Sequence, residues 1–222
     1  EARNQPSWQR VSEDARLAGN AVVNIFFKAD TEGIFEALRI LASDGVVAYP
    51  TETVYGLAVH PFSEAALDAL FRVKQREEGR PVLLIVSDAG QVSALARAVP
   101  ERARACMNAF WPGPLSLLLP GLPALPKRLL DAAGRCCVRC PGNDIARELC
   151  RQWGGPLTST SANLSGRPPA VTAEEAALPG VALALQGEGL AVRLPSTVYD
   201  PETGTVLREG EITAEMIARA SR

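Results

Sequence analysis

The chain carries one histidine, His60, among 222 residues. A single imidazole in the context "AVHPF" supports no Ser-His-Asp triad and leaves no histidine cluster for a metal. Aromatic residues make up only 5%, and no stripe of aromatics alternating with basic residues is present for stacking nucleic-acid bases. No run of 18 apolar residues occurs, so hydropathy gives no membrane-spanning helix. The start, "EARNQPSWQR", lacks the basic-then-apolar layout of a signal peptide, and the expected compartment is the cytoplasm. Neither G-x-G-x-x-G after a strand nor G-x-x-x-x-G-K-[ST] is found, which removes both standard phosphate loops. Acidic residues do not cluster at metal-ligand spacing.

Cysteine is present but in an unhelpful pattern for a metal. The five thiols are Cys106, Cys136, Cys137, Cys140 and Cys150. "CCVRC" has no second C-x-x-C pair to complete a four-ligand zinc site, so these small thiols are expected to fill a buried strand. No metal site is expected in the protein itself. An odd number without an export signal points to reduced thiols.

What remains is ordinary globular usage, with 47% hydrophobic and 22% charged residues. A chain this long can bury a substantial core. The net charge of −2, from 23 basic and 25 acidic side chains, does not announce a nucleic-acid binder.

Periodicity predicts strands and helices in irregular alternation. Helices are expected over 29–45, 63–74, 88–99, 101–110 and 144–153, a short one over 173–178, and a last one from a Thr213 cap to about Arg219. Strands are expected at "AVVNIFF", "VVAYP", "VLLIV", "LSLLL", "CCVRC", "PLTST", "STVYD" and "GTVLRE". Proline-rich loops break any uniform βαβ rhythm. The fold expected is a mixed, twisted α/β sheet rather than a doubly wound one.

Four segments put unusual polar residues at the ends of these elements. "YPTETVYGLA" offers Thr51, Glu52, Thr53 and Tyr55 beside Gly56. "KQREEGRP" brings Lys74, Arg76 and Arg80 to a helix C-terminus, where the dipole favours cations and two guanidinium forks can grip phosphate oxygens. "WPGPLSLLL" is a rigid turn into a strand and reads as architectural. "PLTSTSANLSG" offers Ser161, Asn163 and Ser165, which donate to phosphate and accept from ribose or an amine. Cations, hydroxyls and amides without a nucleophile suit the positioning and charge stabilisation of a transferring phosphate group.

Taken together, "GVVAYPTETVYGLA", "KQR" followed by Arg80-Pro81, "WPGPLSLLL", "VRCP", "STSANLSGRPP", "PSTVYD" and "VLREG" resemble the YrdC-like family, the threonylcarbamoyl-AMP synthases, in family order. The match runs over about residues 31–219, and the hallmark K-x-R…S-x-N stands as Lys74/Arg76 and Ser161/Asn163. The resemblance implies a twisted, mixed and largely parallel sheet flanked by helices, with a concave, positively lined cavity. It divides the chain into an N-terminal extension, 1–28, and a catalytic domain of the short form, 29–222.

The implied reaction joins L-threonine, bicarbonate and ATP into threonylcarbamoyl-AMP plus pyrophosphate. Partner transferases then use that product to modify adenosine 37 of tRNAs reading codons that begin with A. By resemblance, Lys74, Arg76, Arg80, Asn163 and Arg208 line the ATP, and Thr53, Arg139, Ser161 and Ser196 hold threonine. Lys74, Arg76, Ser161 and Asn163 are the implied catalytic set. Mg²⁺ is expected to arrive with ATP, held by phosphates and water. Weak tRNA contact is compatible with this reading. Three positions depart from the family pattern: Glu77 replaces the usual proline after K-x-R, Asn143 a common histidine, and Ser116 a threonine. The rival readings are a carbamoyl-adenylate-forming enzyme of the same fold and an RNA-binding module.

Overall fold

The computed structural model describes residues 25–75, 81–187 and 194–221. Among the described residues, eleven strands form two mixed sheets. The strands are β1 (Ile25–Lys28), β2 (Val46–Tyr49), β3 (Gly56–Ala58), β4 (Leu84–Ile85), β5 (Leu115–Pro120), β6 (Arg135–Arg139), β7 (Leu157–Thr158), β8 (Thr160–Ser161), β9 (Val181–Gln186), β10 (Thr197–Asp200) and β11 (Thr205–Arg208). The first sheet runs β1-β9-β2-β3-β8 and the second β11-β10-β5-β6-β4-β7. The helices are α1 (Thr31–Leu41), α2 (Glu64–Lys74), α3 (Glu101–Phe110), α4 (Asp144–Trp153), α5 (Ala173–Ala176) and α6 (Ala214–Ala220). Among the described residues no helix is long and apolar enough to cross a membrane.

The mixed α/β class agrees with the sequence reading, but the strands divide between two sheets. Antiparallel pairs (β2–β3, β3–β8, β4–β7, β5–β6, β10–β11) stand beside parallel ones (β1–β9, β2–β9, β4–β6, β5–β10). Residues 25–28, grouped with the extension by sequence, pair with β9 as the edge strand β1.

Helix starts follow the capping chemistry. Asp30, Ser63 and Thr213 accept from the backbone amides of Gly33, Ala66 and Met216. β2 shows why the sheet has two covered faces. Val46 and Ala48 join a core lying between the two sheets with Leu57, Leu84, Leu115, Leu117 and Val138. Val47 and Tyr49 point the other way, into a second core with Ile34, Ala37 and Leu41 of α1 and Leu149 of α4. Period-two alternation therefore builds two cores from one strand.

The stretch Leu157–Ser161 crosses from one sheet to the other. β7 belongs to the second sheet and β8 to the first. Between them, Ser159 donates its amide to Leu83 O at 2.7 Å. Thr158 is fully buried; its Oγ1 accepts from Val59 N at 2.8 Å and lies 3.3 Å from Leu57 O, tying β7 to the β3 segment.

Candidate active site

A cavity of about 1050 Å³ opens along this crossing. Lys74, Arg139 and Arg208 line it, together with hydroxyls of Thr51, Thr53, Ser159, Thr160, Ser161 and Ser196. No carboxylate stands among its described lining residues. A polar, cationic wall of this kind suits an anionic ligand.

The loop after β2 supplies one side. Thr51 Oγ1 accepts from Thr53 N at 3.1 Å and Val54 N at 3.2 Å, donates to Val54 O at 2.6 Å, and lies 3.0 Å from Thr53 Oγ1. This folds the loop into a tight polar turn with both threonines buried. Gly56 follows for a steric reason. A Cβ there would sit 2.9 Å from the Tyr49 ring and 3.1 Å from Ser159 Oγ.

The end of α2 supplies the second side. Gln75 takes the left-handed conformation, φ 47°, and stops the helix directly after Lys74. Lys74 is 5% exposed, and its Nζ donates to Ser161 O at 2.5 Å and Asn163 Oδ1 at 2.7 Å. Ser161 Oγ donates to the same Oδ1 at 2.6 Å, and Asn163 Nδ2 donates to Arg167 O. The backbone closes the pair from the other direction, with Ser165 N donating to Lys74 O at 3.1 Å. Lys74, Ser161 and Asn163 thus form one hydrogen-bonded unit. In it Asn163 holds the loop to the lysine, and charge-assisted bonds keep the loop shaped.

The third side centres on the segment Gly113–Ser116, which sequence had given a mainly architectural part. Arg139, at the end of β6, is 4% exposed. Its Nε donates to Gly113 O at 3.1 Å, and its Nη2 forms an ion pair with Glu52 Oε1. Glu52 also accepts from Gly142 N at 2.6 Å and Asn143 N at 3.3 Å. Burial raises the Glu52 carboxyl, but the Arg139 charge and the Gly142 amide outweigh it and hold the group below its ordinary value. Asn143 accepts from Ile145 N at 2.9 Å and Ala146 N at 3.2 Å, so the residue that departs from the family pattern caps α4.

Arg208 is fastened to Ser196. Its Nε and Nη2 donate to Ser196 O at 3.0 and 2.8 Å, and Nη2 to Ser196 Oγ at 3.2 Å. Burial pulls Arg208 below the ordinary guanidinium value; the neighbouring Cys137 opposes this and the Arg139 charge adds to it. Ser196 Oγ in turn lies 2.9 Å from the hydroxyl of Ser116.

The five cysteines are buried and free. Cys137 lines the cavity, yet burial pushes its thiol up to about 12, with the Arg208 and Arg139 charges only partly offsetting this. Cys136 and Cys140 are pushed up to about 11 by burial. These thiols pack as apolar groups and are not poised as thiolates.

Of the residues singled out by sequence, Thr53, Lys74, Arg139, Ser161, Asn163, Ser196 and Arg208 line this one cavity. Arg76 and Arg80 lie outside the described residues. Sequence reasoning missed Ser159 and Cys137 as wall residues and Glu52 as the partner of Arg139. Ser159 stood inside the hydroxyl run that drew attention to the loop. Glu52 gave no local signal, because its partners Arg139, Gly142 and Asn143 are distant in sequence.

The Sua5/YciO/YrdC family model, described as "Telomere recombination", matches residues 39–210. A threonylcarbamoyl-AMP synthase from Stenotrophomonas maltophilia is 37% identical over 180 residues, spanning 78% of this chain and 95% of the relative. Among solved structures, P. abyssi Sua5 complexed with L-threonine superposes with a TM-score of 0.81 at 30% identity, covering 89% of this chain and 60% of that one. E. coli YciO superposes with a TM-score of 0.77 at 28% identity, covering 86% and 99%. With most of its length matched in both sequence and fold, the chain belongs to the Sua5/YciO/YrdC family.

Proposed function

We infer that this protein is a threonylcarbamoyl-AMP synthase, an ATP-using transferase of the nucleotidyltransferase type. The observation that carries the reading is the cationic, hydroxyl-rich cavity in a chain aligned along nearly the whole length of a relative bearing that name. The threonine ammonium gives up a proton, and the resulting amine condenses with bicarbonate to a carbamate with loss of water. A carbamate oxygen then bonds to the α-phosphorus of ATP, the bond from that phosphorus to the bridging oxygen breaks, and pyrophosphate leaves. Both partners are anions, so the protein's task is to offset their repulsion and align them.

Lys74 and Arg208, with Arg76 and Arg80, serve the nucleotide in this reading. Arg139 receives the threonine carboxylate, and Thr53, Ser161 and Ser196 complete its contacts. Asn163 serves the nucleotide side by holding the Ser161 loop against Lys74. The described lining residues offer no carboxylate cage, so Mg²⁺ would be held largely by the ATP phosphates and water. There it would supply charge neutralisation of the phosphates. The carbamoylated adenylate passes to transferases acting on tRNA in the cytoplasm, with at most weak direct contact to tRNA.

Pyrophosphate release from ATP tests the reading. Release that requires threonine and bicarbonate together is expected. Release with carbamoyl phosphate in the absence of threonine would identify the carbamoyl-adenylate chemistry instead. Tight, salt-sensitive RNA binding without any pyrophosphate release would identify an RNA-binding module.

A further inference from the structure

We propose that Ser116, a buried residue outside the cavity wall, is a positioning residue that makes the Ser196 hydroxyl a hydrogen-bond donor to the ligand. Ser116 is fully buried on β5, in register with Val198 of β10. Among the described residues, its hydroxyl has one partner, Ser196 Oγ at 2.9 Å. A buried hydroxyl must place its proton on an acceptor or carry the cost of desolvation. Donation from Ser196 to Ser116 would leave the Ser116 proton stranded. Donation from Ser116 to Ser196 satisfies it.

Ser196 Oγ also receives Nη2 of Arg208 at 3.2 Å, and a guanidinium can only donate. With Ser116 and Arg208 both donating, the two lone pairs of Ser196 are taken. Its own O–H has no acceptor among the described residues, and Ser196 lines the cavity. The hydroxyl is therefore set to donate to an incoming acceptor and disfavours a ligand group that would donate to it.

Arg139 is anchored on the same segment through Gly113 O, and Thr197 N bonds Pro114 O at 3.0 Å. One turn and strand start thus seats both a cation and an oriented donor, a pairing matched to a carboxylate. Because it gives that donor to threonine, this proposal rests on the functional reading above.

The test is a double-mutant cycle on L-threonine binding, followed by titration calorimetry, with threonine and ATP KM values and kcat measured beside it. Ser116→Ala keeps the Ser196 O–H but leaves it free to rotate, and is expected to weaken threonine about threefold. The ATP KM and kcat should change less than about twofold, since neither depends on that one donor. Ser116→Thr, which keeps the hydroxyl, should restore affinity. In a Ser196→Ala background the Ser116→Ala effect should vanish, because Ser116 acts through Ser196. Ser116→Cys, with nearly conserved volume and a weak donor, replaces the alanine variant if that one loses its fold. Unchanged threonine affinity in Ser116→Ala, or a full effect persisting in Ser196→Ala, overturns the proposal. Failure of the wild-type protein to bind threonine overturns the functional reading and this assignment with it. Binding by the wild type with an inert Ser116 overturns this assignment alone.

Discussion

Thr158 and Asn163 sit in the same hydroxyl-rich stretch and carry different burdens. Thr158 Oγ1 accepts from the buried Val59 amide, so Thr158→Ala strands that donor and should cost about 1–3 kcal/mol of stability. The folded fraction should keep most of its activity. Asn163 instead holds the Ser161 loop on Lys74. Asn163→Ala takes an acceptor from the buried Lys74 ammonium and should cost a similar stability, about 1–3 kcal/mol, but it should also lower threonine-dependent pyrophosphate release by the folded protein at least tenfold, about 1.4 kcal/mol of transition-state stabilisation. Steady-state rates, corrected for the folded fraction by denaturation curves, separate the two, and similar losses of rate in both variants would contradict the assignment. Sequence grouped Thr158 with the strand, but its bonds to the β3 segment depend on a contact far along the chain.

Glu52 makes the acid dependence specific. Its carboxyl is held below the ordinary value of 4.5, so the folded state binds its proton less readily than the unfolded chain. The stability this adds is fully present above about pH 4.5 and is lost as pH falls through the lowered folded value. Glu52→Gln should therefore be less stable than wild type at pH 7, with the gap narrowing in acid below that window. Chemical denaturation at pH 7 and near pH 3 checks this; an equal gap at both would contradict it. Cys137 yields a simpler expectation. With its thiol pushed up to about 12, it should resist iodoacetamide at pH 8, read by mass spectrometry, and activity should survive the treatment.

At the scale of elements, the legible parts were those written locally. α1, α2, α4 and α6 carry amphipathic spacing, and α1, α2 and α6 begin at caps visible in sequence. β9 was missed. "VALALQ" is the central partner of both β1 and β2 and packs into both cores, so it lacks the polar alternation that marks a half-exposed strand. No strand was expected at β3, which is only three residues long and follows the threonine turn. The helix expected over 88–99 is a short 3-10 turn, Ala89–Ala94, started by Asp88. "VLLIV" contributes only Leu84–Ile85, since its neighbours serve the sheet crossing and the loops. The α4 cap was not foreseen, because Asn143 was noticed as a departure and not as a capping residue. Asn143→Ala should lose about 1 kcal/mol and lower the melting temperature by about 2–4 °C. It should also loosen the loop that Glu52 grips, so threonine KM should rise while ATP KM stays close to wild type.

At the scale of the whole molecule, the candidate site lies where two sheets meet. A chain that crosses from one sheet to the other brings the hydroxyls of Ser159 and of β8, the cation ending α2, and the arginines ending β6 and β11 to one cavity. The cavity's wall residues were legible because six of the seven motifs supply them. The enclosure was not, since the division into two sheets is set by pairings between distant strands. The central claim is that this cavity joins threonine, bicarbonate and ATP. Incubation with ATP, threonine and ¹³C-bicarbonate, with products read by mass spectrometry, tests it most directly. The account predicts an adenylate containing threonine and one ¹³C, formed together with pyrophosphate and absent when any substrate is omitted. Unlabelled products, or an adenylate formed without threonine, would contradict it.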